Sequence, residues 1–327
     1  MNKRIVAITL LHAAIGLAGL GTWSSAQAAY PDKPIQVIIP YPAGGAGDRS
    51  LRVIAEKLSE NLGQQVVVVN NPGGSNGTVG TERIARSAAD GYNLLYVETA
   101  VFTINPHLYK GLTYKFEDFA PISLGVSAGF MIAANAAVPI DSIKALETYA
   151  KANPGPIPFG IAGLGSIYHL SLIQLKEQTG LDLLVVPYQG TPAILADLLG
   201  GRVAMAFGQY SSVAQHVQGG KLRYVGSSTS ARSPLAPNVA TLQEQGVKDY
   251  DFSLRYGFFA PARTPRDIVN RLQAEIAKVV KSPDILAKLR ELDMQPGGNT
   301  PEQFTADLRR QTEQLGRLVK AGNVKIE

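Results

Sequence analysis

The sequence contains no cysteine. That excludes disulfides, thiolate metal sites and thiol nucleophiles. It also excludes a lipid-modified cysteine at a processed N-terminus, and it suits an oxidising compartment. Charged residues make up only 17% of the chain, and the basic ones are dispersed, so no run reads as a nucleic-acid patch. His107, His169 and His216 share no metal-ligand spacing, so neither a metal nor a cofactor is expected. After Leu20 no apolar segment reaches the roughly 20 residues a membrane span requires, so a soluble exported chain is expected.

What is present begins with a tripartite leader. Lys3 and Arg4 are followed by an apolar stretch from Ile5 to Leu20, then by Ser24-Ser25-Ala26-Gln27-Ala28, a small-x-small cleavage pattern. Residues 1–28 are therefore expected to be a signal peptide, cut after about Ala28, with the chain delivered to the periplasm. Losing Lys3 and Arg4 takes the formal charge from +5 to +3, a balance that slightly favours small anions.

The chain is long enough for two domains, and 45% of it is apolar, enough for sizeable cores. Short β-rich runs alternate with amphipathic helical stretches. Strands are predicted at Ile35–Ile39, Val66–Asn70, Leu94–Val97, Phe130–Ala134, Pro158–Ile161, Leu183–Val186, Met205–Phe207, Leu222–Ser227 and Tyr256–Ala260. That alternation predicts parallel sheets covered by helices, and the strands are too many for one small sheet. The fold class is α/β, with two doubly wound domains around a cleft. Residues 29–127 plus 252–327 are expected to form domain one, and residues 128–251 domain two. Near the C-terminus, Thr264-Pro265 and Thr300-Pro301-Glu302-Gln303 read as helix starts, the second with Gln303 at the capping-box position. Ile268, Leu272, Ile276 and Val279 then share one helical face.

Three Gly-rich turns each follow a strand and precede a helix: residues 41–48, 71–78 and 163–169. Ligands of doubly wound sheets sit outside the carboxyl ends of strands, where such turns lie. Glycine admits a close ligand, and the first amides of a helix are free donors at a positive dipole end. Each turn taken alone also fits a plain strand-to-helix connection. A nucleotide site is disfavoured: the first turn lacks the Lys-Ser/Thr ending of a P-loop, and Tyr168 stands where a dinucleotide fingerprint wants a small residue. Ser166 and His169 share a helix face, but Ser166 is not in a G-x-S-x-G elbow. It is expected to cap its helix, with His169 as a packing or supporting residue, and an exported hydrolase is the least favoured reading.

The ordered set of motifs resembles a known family. Pro40-Tyr41-Pro42-Ala43-Gly44-Gly45 with Asp48, Asn71-Pro72-Gly73-Gly74, Asn105-Pro106-His107-Leu108-Tyr109, Gly163-Leu164-Gly165-Ser166 with His169, Val186-Pro187-Tyr188-Gln189-Gly190 and Phe258-Phe259-Ala260-Pro261 occur in the order seen in the extracytoplasmic solute receptors of the tripartite tricarboxylate transporters, the Bug group. The resemblance implies a type II periplasmic binding protein, or venus flytrap, that is not an enzyme. It implies a carboxylate held by Tyr41, Ala46, Gly47 and Asp48 of domain one and by Gly163, Ser166 and His169 of domain two, with Thr99, Ala100 and Tyr188 as additions. The expected partners are a small carboxylate and the membrane permease subunits, with no nucleic acid, and the chain is expected to be a monomer. A sensory role, docking the closed protein on a membrane histidine kinase, would leave the same sequence.

Departures from the family pattern bear on the ligand. Ala204 and Gly208 stand where the family usually has acids, and Arg255 stands where a tryptophan is common. A second anionic end or an aromatic acid is therefore the favoured ligand, with Arg255 as a bidentate clamp. The alternative for Arg255 is a surface position on an edge strand.

Overall fold

The strand β1 (Ile35–Ile39) is rich in β-branched residues, and Val37, Ile38 and Ile39 are fully buried, as expected of a strand covered on both faces. It is followed by α1 (Ala46–Leu62), β2 (Val66–Asn70), α2 (Thr78–Ala85), β3 (Asn93–Glu98), the short helices α3 (Ala100–Thr103) and α4 (Asn105–Leu108), and the long β4 (Phe119–Ala128). The next stretch comprises β5 (Met131–Asn135), α5 (Ile143–Ala152), β6 (Ile157–Ala162), α6 (Ile167–Thr179), β7 (Leu183–Tyr188), α7 (Thr191–Leu199), β8 (Met205–Gly208), α8 (Tyr210–Gln218) and β9 (Leu222–Ser227). The chain ends with β10 (Leu254–Pro261), α9 (Arg266–Val280), α10 (Pro283–Glu291), β11 (Gln295–Pro296) and α11 (Pro301–Ala321). This computed structural model describes residues 30–73 and 77–326, so the expected leader lies outside the described residues. Lys33–Glu327 form one compact unit, and only residues 30–32 of the separate unit before it are described. No helix among the described residues is long and apolar enough to cross a membrane.

Two sheets result. The first has the order β11-β4-β10-β3-β1-β2 and the second β7-β6-β8-β5-β9. Both are mixed rather than parallel as expected. β1 is parallel to β2 and β3, and β6 to β7 and β8, but β10 runs against β3 and β4, and β5 against β8 and β9. The cause is the crossing. β4 passes almost directly into β5, so the chain enters the second sheet reversed, and β10 returns it to the first. Ser228 ties the two crossings together: its Oγ donates to Phe252 O at 2.7 Å, and Phe130 N–H donates to that Oγ at 3.0 Å.

The sequence reading missed β4, because Pro121 and Gly125 interrupt its β pattern. Gly125 is needed there: a Cβ would lie 2.8 Å from the Tyr96 ring and 3.0 Å from the Phe258 ring. Around the first sheet Ile38, Leu95, Phe102, Phe259 and Phe304 belong to one core; Ala133, Ile194, Leu198, Ala206 and Leu222 belong to another around the second. Thr300 and Gln303 form the expected capping box of α11. Thr264 does not cap α9. Its hydroxyl donates to Pro261 O at 2.8 Å, and Pro265 is itself the N-cap residue, so the helix starts one position later than expected. Val269 accordingly joins Leu272, Ile276 and Val279 in the buried face, and Ile268 is half-buried.

Candidate functional site

The first Gly-rich turn is built around one carboxylate. Gly44 takes a left-handed φ of 86°, and Gly45 caps α1 with its backbone alone. The first helical hydrogen bond runs from Arg49 N–H to Gly45 O, so the amides of Ala46, Gly47 and Asp48 have no helical acceptor. Asp48, 3% exposed, accepts from Gly44 N–H at 2.9 Å and Arg52 Nε at 3.0 Å through Oδ2, and from Asn70 Nδ2 at 2.9 Å through Oδ1. Burial alone would raise its pKa, but the donors from Arg52, Gly44 and Asn70 outweigh burial and hold it below the usual carboxylate range. The Asp48 side chain therefore shapes the turn, and what it leaves for a ligand is its amide. Gly47 lies flat under Tyr256: a Cβ there would be 2.7 Å from the ring.

The turn from β6 to α6 uses the same device. Gly163 and Gly165 are both left-handed, at 81° and 72°. Ser166 is the N-cap, accepting from His169 N–H at 3.3 Å while donating to Gly163 O at 2.8 Å. The first helical bond, Leu170 N–H to Ser166 O, leaves the Ile167 and Tyr168 amides without a helical acceptor. His169 is buried, and its Nδ1 accepts from Gly165 N–H at 3.1 Å, which places the ring proton on Nε2. Burial, then Lys176, lowers its pKa, so it is a neutral brace for the turn. The middle Gly-rich turn is described only in part. Gly77 packs against Pro40 and the Tyr41 ring and accepts from Thr81 Oγ1 at 2.8 Å, a structural role.

Tyrosines and one acid lie between the two turns. On one face of the first sheet the register sets Glu98 opposite Tyr256 and Tyr96 opposite Phe258. Tyr96 stacks on Tyr256 at 5.8 Å, and Tyr41 meets Tyr256 edge-on at 6.5 Å. Burial, reinforced by the Glu98 charge, raises the Tyr41 and Tyr256 hydroxyls and also that of Tyr168, which packs on Phe130 at 4.7 Å beside the second sheet. Glu98 thus lies within electrostatic reach of both walls. Burial pushes its own carboxyl up to about 7. The sequence reading did not single out Glu98. Its signal was an acid ending a buried apolar strand, at the carboxyl end where ligands of such sheets sit.

The remaining candidates divide. Thr99 and Ala100 are buried at the start of α3 and line a cavity of about 480 Å³ together with Ile167 of α6. The Thr99 amide is already committed to Arg255 O at 2.8 Å. The Tyr188 side chain points onto α7, its hydroxyl donating to Asp197 at 2.8 Å, while its backbone carbonyl accepts from Gly163 N–H at 3.0 Å and so supports the second turn. Arg255 is adjacent to Tyr256 in β10, so their side chains point to opposite faces. Its Nη2 lies 3.7 Å from Asp307 of α11, and burial lowers its pKa. It is not on the surface, its side chain being 20% exposed, and it lines the same cavity as Glu98, Thr99, Ala100 and Ile167. Among the described residues no group of acids and histidines is arranged to hold a metal.

A turn of this construction on each sheet, with a shared aromatic wall, suits capture of a small anion. The sequence profile described as "Tripartite tricarboxylate transporter family receptor" matches residues 50–324. Protein BugT of Bordetella pertussis is 32% identical over 326 residues, covering 98% of this chain and 99% of BugT. The structure of periplasmic binding protein BugD is 33% identical with a TM-score of 0.73, covering 91% of this chain and 100% of that one. Rpa4515 of R. palustris, solved with adipate, is 28% identical with a TM-score of 0.77, covering 90% of this chain and 99% of that one. The fold is that of periplasmic binding proteins, and the family is one of solute receptors rather than catalysts. The chain belongs to the tripartite tricarboxylate transporter receptor family, as a Bug-type periplasmic solute receptor.

Proposed function

We propose that this receptor captures a small carboxylate between the turn holding Ala46, Gly47 and Asp48 and the turn holding Gly163 and Ser166, then delivers it to membrane permease subunits. The observation that carries the reading is the pair of helix N-termini, α1 and α6, whose first amides have no helical acceptor. A carboxylate between them gains about 0.3–2 kcal/mol from each dipole. Each charge-assisted hydrogen bond adds about 1.5–3 kcal/mol. Two such turns suffice for micromolar affinity, about −8 kcal/mol. Adipate in Rpa4515 supports a carboxylate ligand.

The domains would be residues 29–127 with 252–327, and residues 128–251, hinged at the Ser228 crossing. A ligand that touches both closes them only through its differential affinity for the closed form. A second anionic end was expected from Arg255. With that side chain turned toward Asp307, the proposal keeps the carboxylate and its aromatic surroundings, Tyr41, Tyr168 and Tyr256, and drops the clamp.

A thermal-shift panel of mono-, di-, amino- and aromatic carboxylates tests this reading. A ligand at 100 times its dissociation constant adds about 2.7 kcal/mol of stability, a rise of several degrees. A flat response to every carboxylate would sink the proposal.

A further inference from the structure

The two turns are held in different ways. The second carries its own brace, His169 Nδ1 accepting from Gly165 N–H within the same turn. The first has little of its own to hold it. Residues 42–45 are exposed, and Gly44 and Gly45 bring no side chain to pack. A chain so free would spread the Ala46, Gly47 and Asp48 amides over many directions, and a ligand would have to order them as it binds.

The brace comes from another strand. Asn70 ends β2, opposite Ile39 at the end of β1, so the β1–β2 ladder sets it beside the point where the turn begins. Its Nδ2 donates to Tyr41 O at 3.1 Å, at the start of the turn, and to Asp48 Oδ1 at 2.9 Å, at its end. Its Oδ1 accepts from Arg52 Nη2 at 2.9 Å, and Arg52 Nε donates to Asp48 Oδ2 at 3.0 Å. One amide thus ties both ends of the turn and closes a ring with Asp48 and Arg52. Only one orientation of that amide serves, because its NH2 faces two oxygens and its carbonyl faces a cation.

We infer that Asn70 is a positioning residue for ligand capture: from β2 it holds both ends of the first turn, so that the Ala46, Gly47 and Asp48 amides are aimed before the ligand arrives. This rests on the carboxylate-receptor reading and adds to it a residue that acts through the turn rather than on the ligand.

Asn70→Asp keeps the shape of the side chain and reverses its polarity. An oxygen then faces Tyr41 O and Asp48 Oδ1, and two carboxylates side by side disfavour full ionisation. A proton taken up between them restores one of the two bonds, and it is lost as pH rises. Arg52 is the other charged group bonded to this pair, and a guanidinium keeps its charge across the range.

Calorimetric titration of the full protein, Asn70→Ala and Asn70→Asp at pH 5 and pH 8 tests this. The probes are mono- and dicarboxylates of four to six carbons, adipate among them. Each variant is compared with the unmodified protein at the same pH, so ionisation of the probe, of Glu98 and of Asp293 cancels. For the tightest probe, Asn70→Ala should weaken binding about tenfold at both pH values. Asn70→Asp should weaken it about tenfold or more at pH 8 and no more than about threefold at pH 5. β2 is an edge strand and Asn70 is half-buried, so neither substitution enters a core.

The unmodified protein gives an independent reading, so a poorly folding variant does not leave the question open. Coupling is reciprocal: if Asn70 steadies the turn for the ligand, the ligand steadies Asn70. Exchange of the Asn70 side-chain amide hydrogens, followed by NMR, should slow on saturation with the probe. Variants that bind within about twofold of the unmodified protein at pH 8 would overturn the inference. So would an Asn70→Asp loss that is equal at both pH values, or exchange that bound probe leaves unchanged; the receptor reading survives all three. If no carboxylate binds the unmodified protein, the receptor reading itself fails.

Discussion

Glu98 follows Leu94 to Val97, all buried, and is itself half-buried without their apolarity. Its carboxyl is raised from 4.5 to about 7, so the folded protein holds this proton more tightly than the unfolded chain does. Stability therefore falls as pH rises through that window and is flat above it. Glu98→Gln lacks this fall, so its melting temperature relative to the unmodified protein should climb from pH 4.5 to 7, reaching an advantage of roughly 2–5 °C. Asp293, raised to about 6 by burial, contributes a slope of the same sign to both proteins and cancels in the comparison. A constant difference across the range would show that Glu98 is solvated. Arg255→Ala gives the complementary result. Since the side chain faces Asp307 across a 3.7 Å gap, ligand affinity should change less than about twofold. A tenfold loss for dicarboxylates alone, measured by calorimetry, would restore the clamp.

At the scale of elements, the turns were legible in the sequence because glycine and serine leave a mechanical signature. Gly44, Gly163 and Gly165 stand where the backbone is left-handed, and Ser166 stands where a helix needs a cap. The α11 capping box was legible for the same reason. β4 was not, because Gly125 is there for its neighbours rather than for its own strand. Gly125→Ala forces a methyl against the Tyr96 and Phe258 rings, at 2.8 and 3.0 Å. Overpacking of this kind costs about 1–3 kcal/mol. Urea unfolding should show a lower midpoint with an unchanged slope. An unaltered midpoint would mean that the rings shift freely, and that the tyrosine wall is softer than its packing implies.

At the scale of the whole molecule, strand-helix alternation was enough to expect two α/β layers, but not their mixed strand directions. Those follow from β4 and β5 carrying the chain straight between sheets, a fact of connection that local patterns do not encode. The ligand's far end was not legible for a related reason. Arg255 and Tyr256 are neighbours in sequence but lie on opposite faces, and which face meets the second wall is decided only once the sheets are in place. Glu98 drew no notice because a lone acid after an apolar strand has no motif.

The proposed seat of the ligand carboxylate lies between the two helix N-termini. A crystal structure of the protein with its tightest carboxylate tests it most directly. The account predicts carboxylate oxygens within about 3.2 Å of amides in the Ala46–Asp48 segment and at the start of α6. A carboxylate seated against Arg255, or held by only one of the two turns, would contradict it.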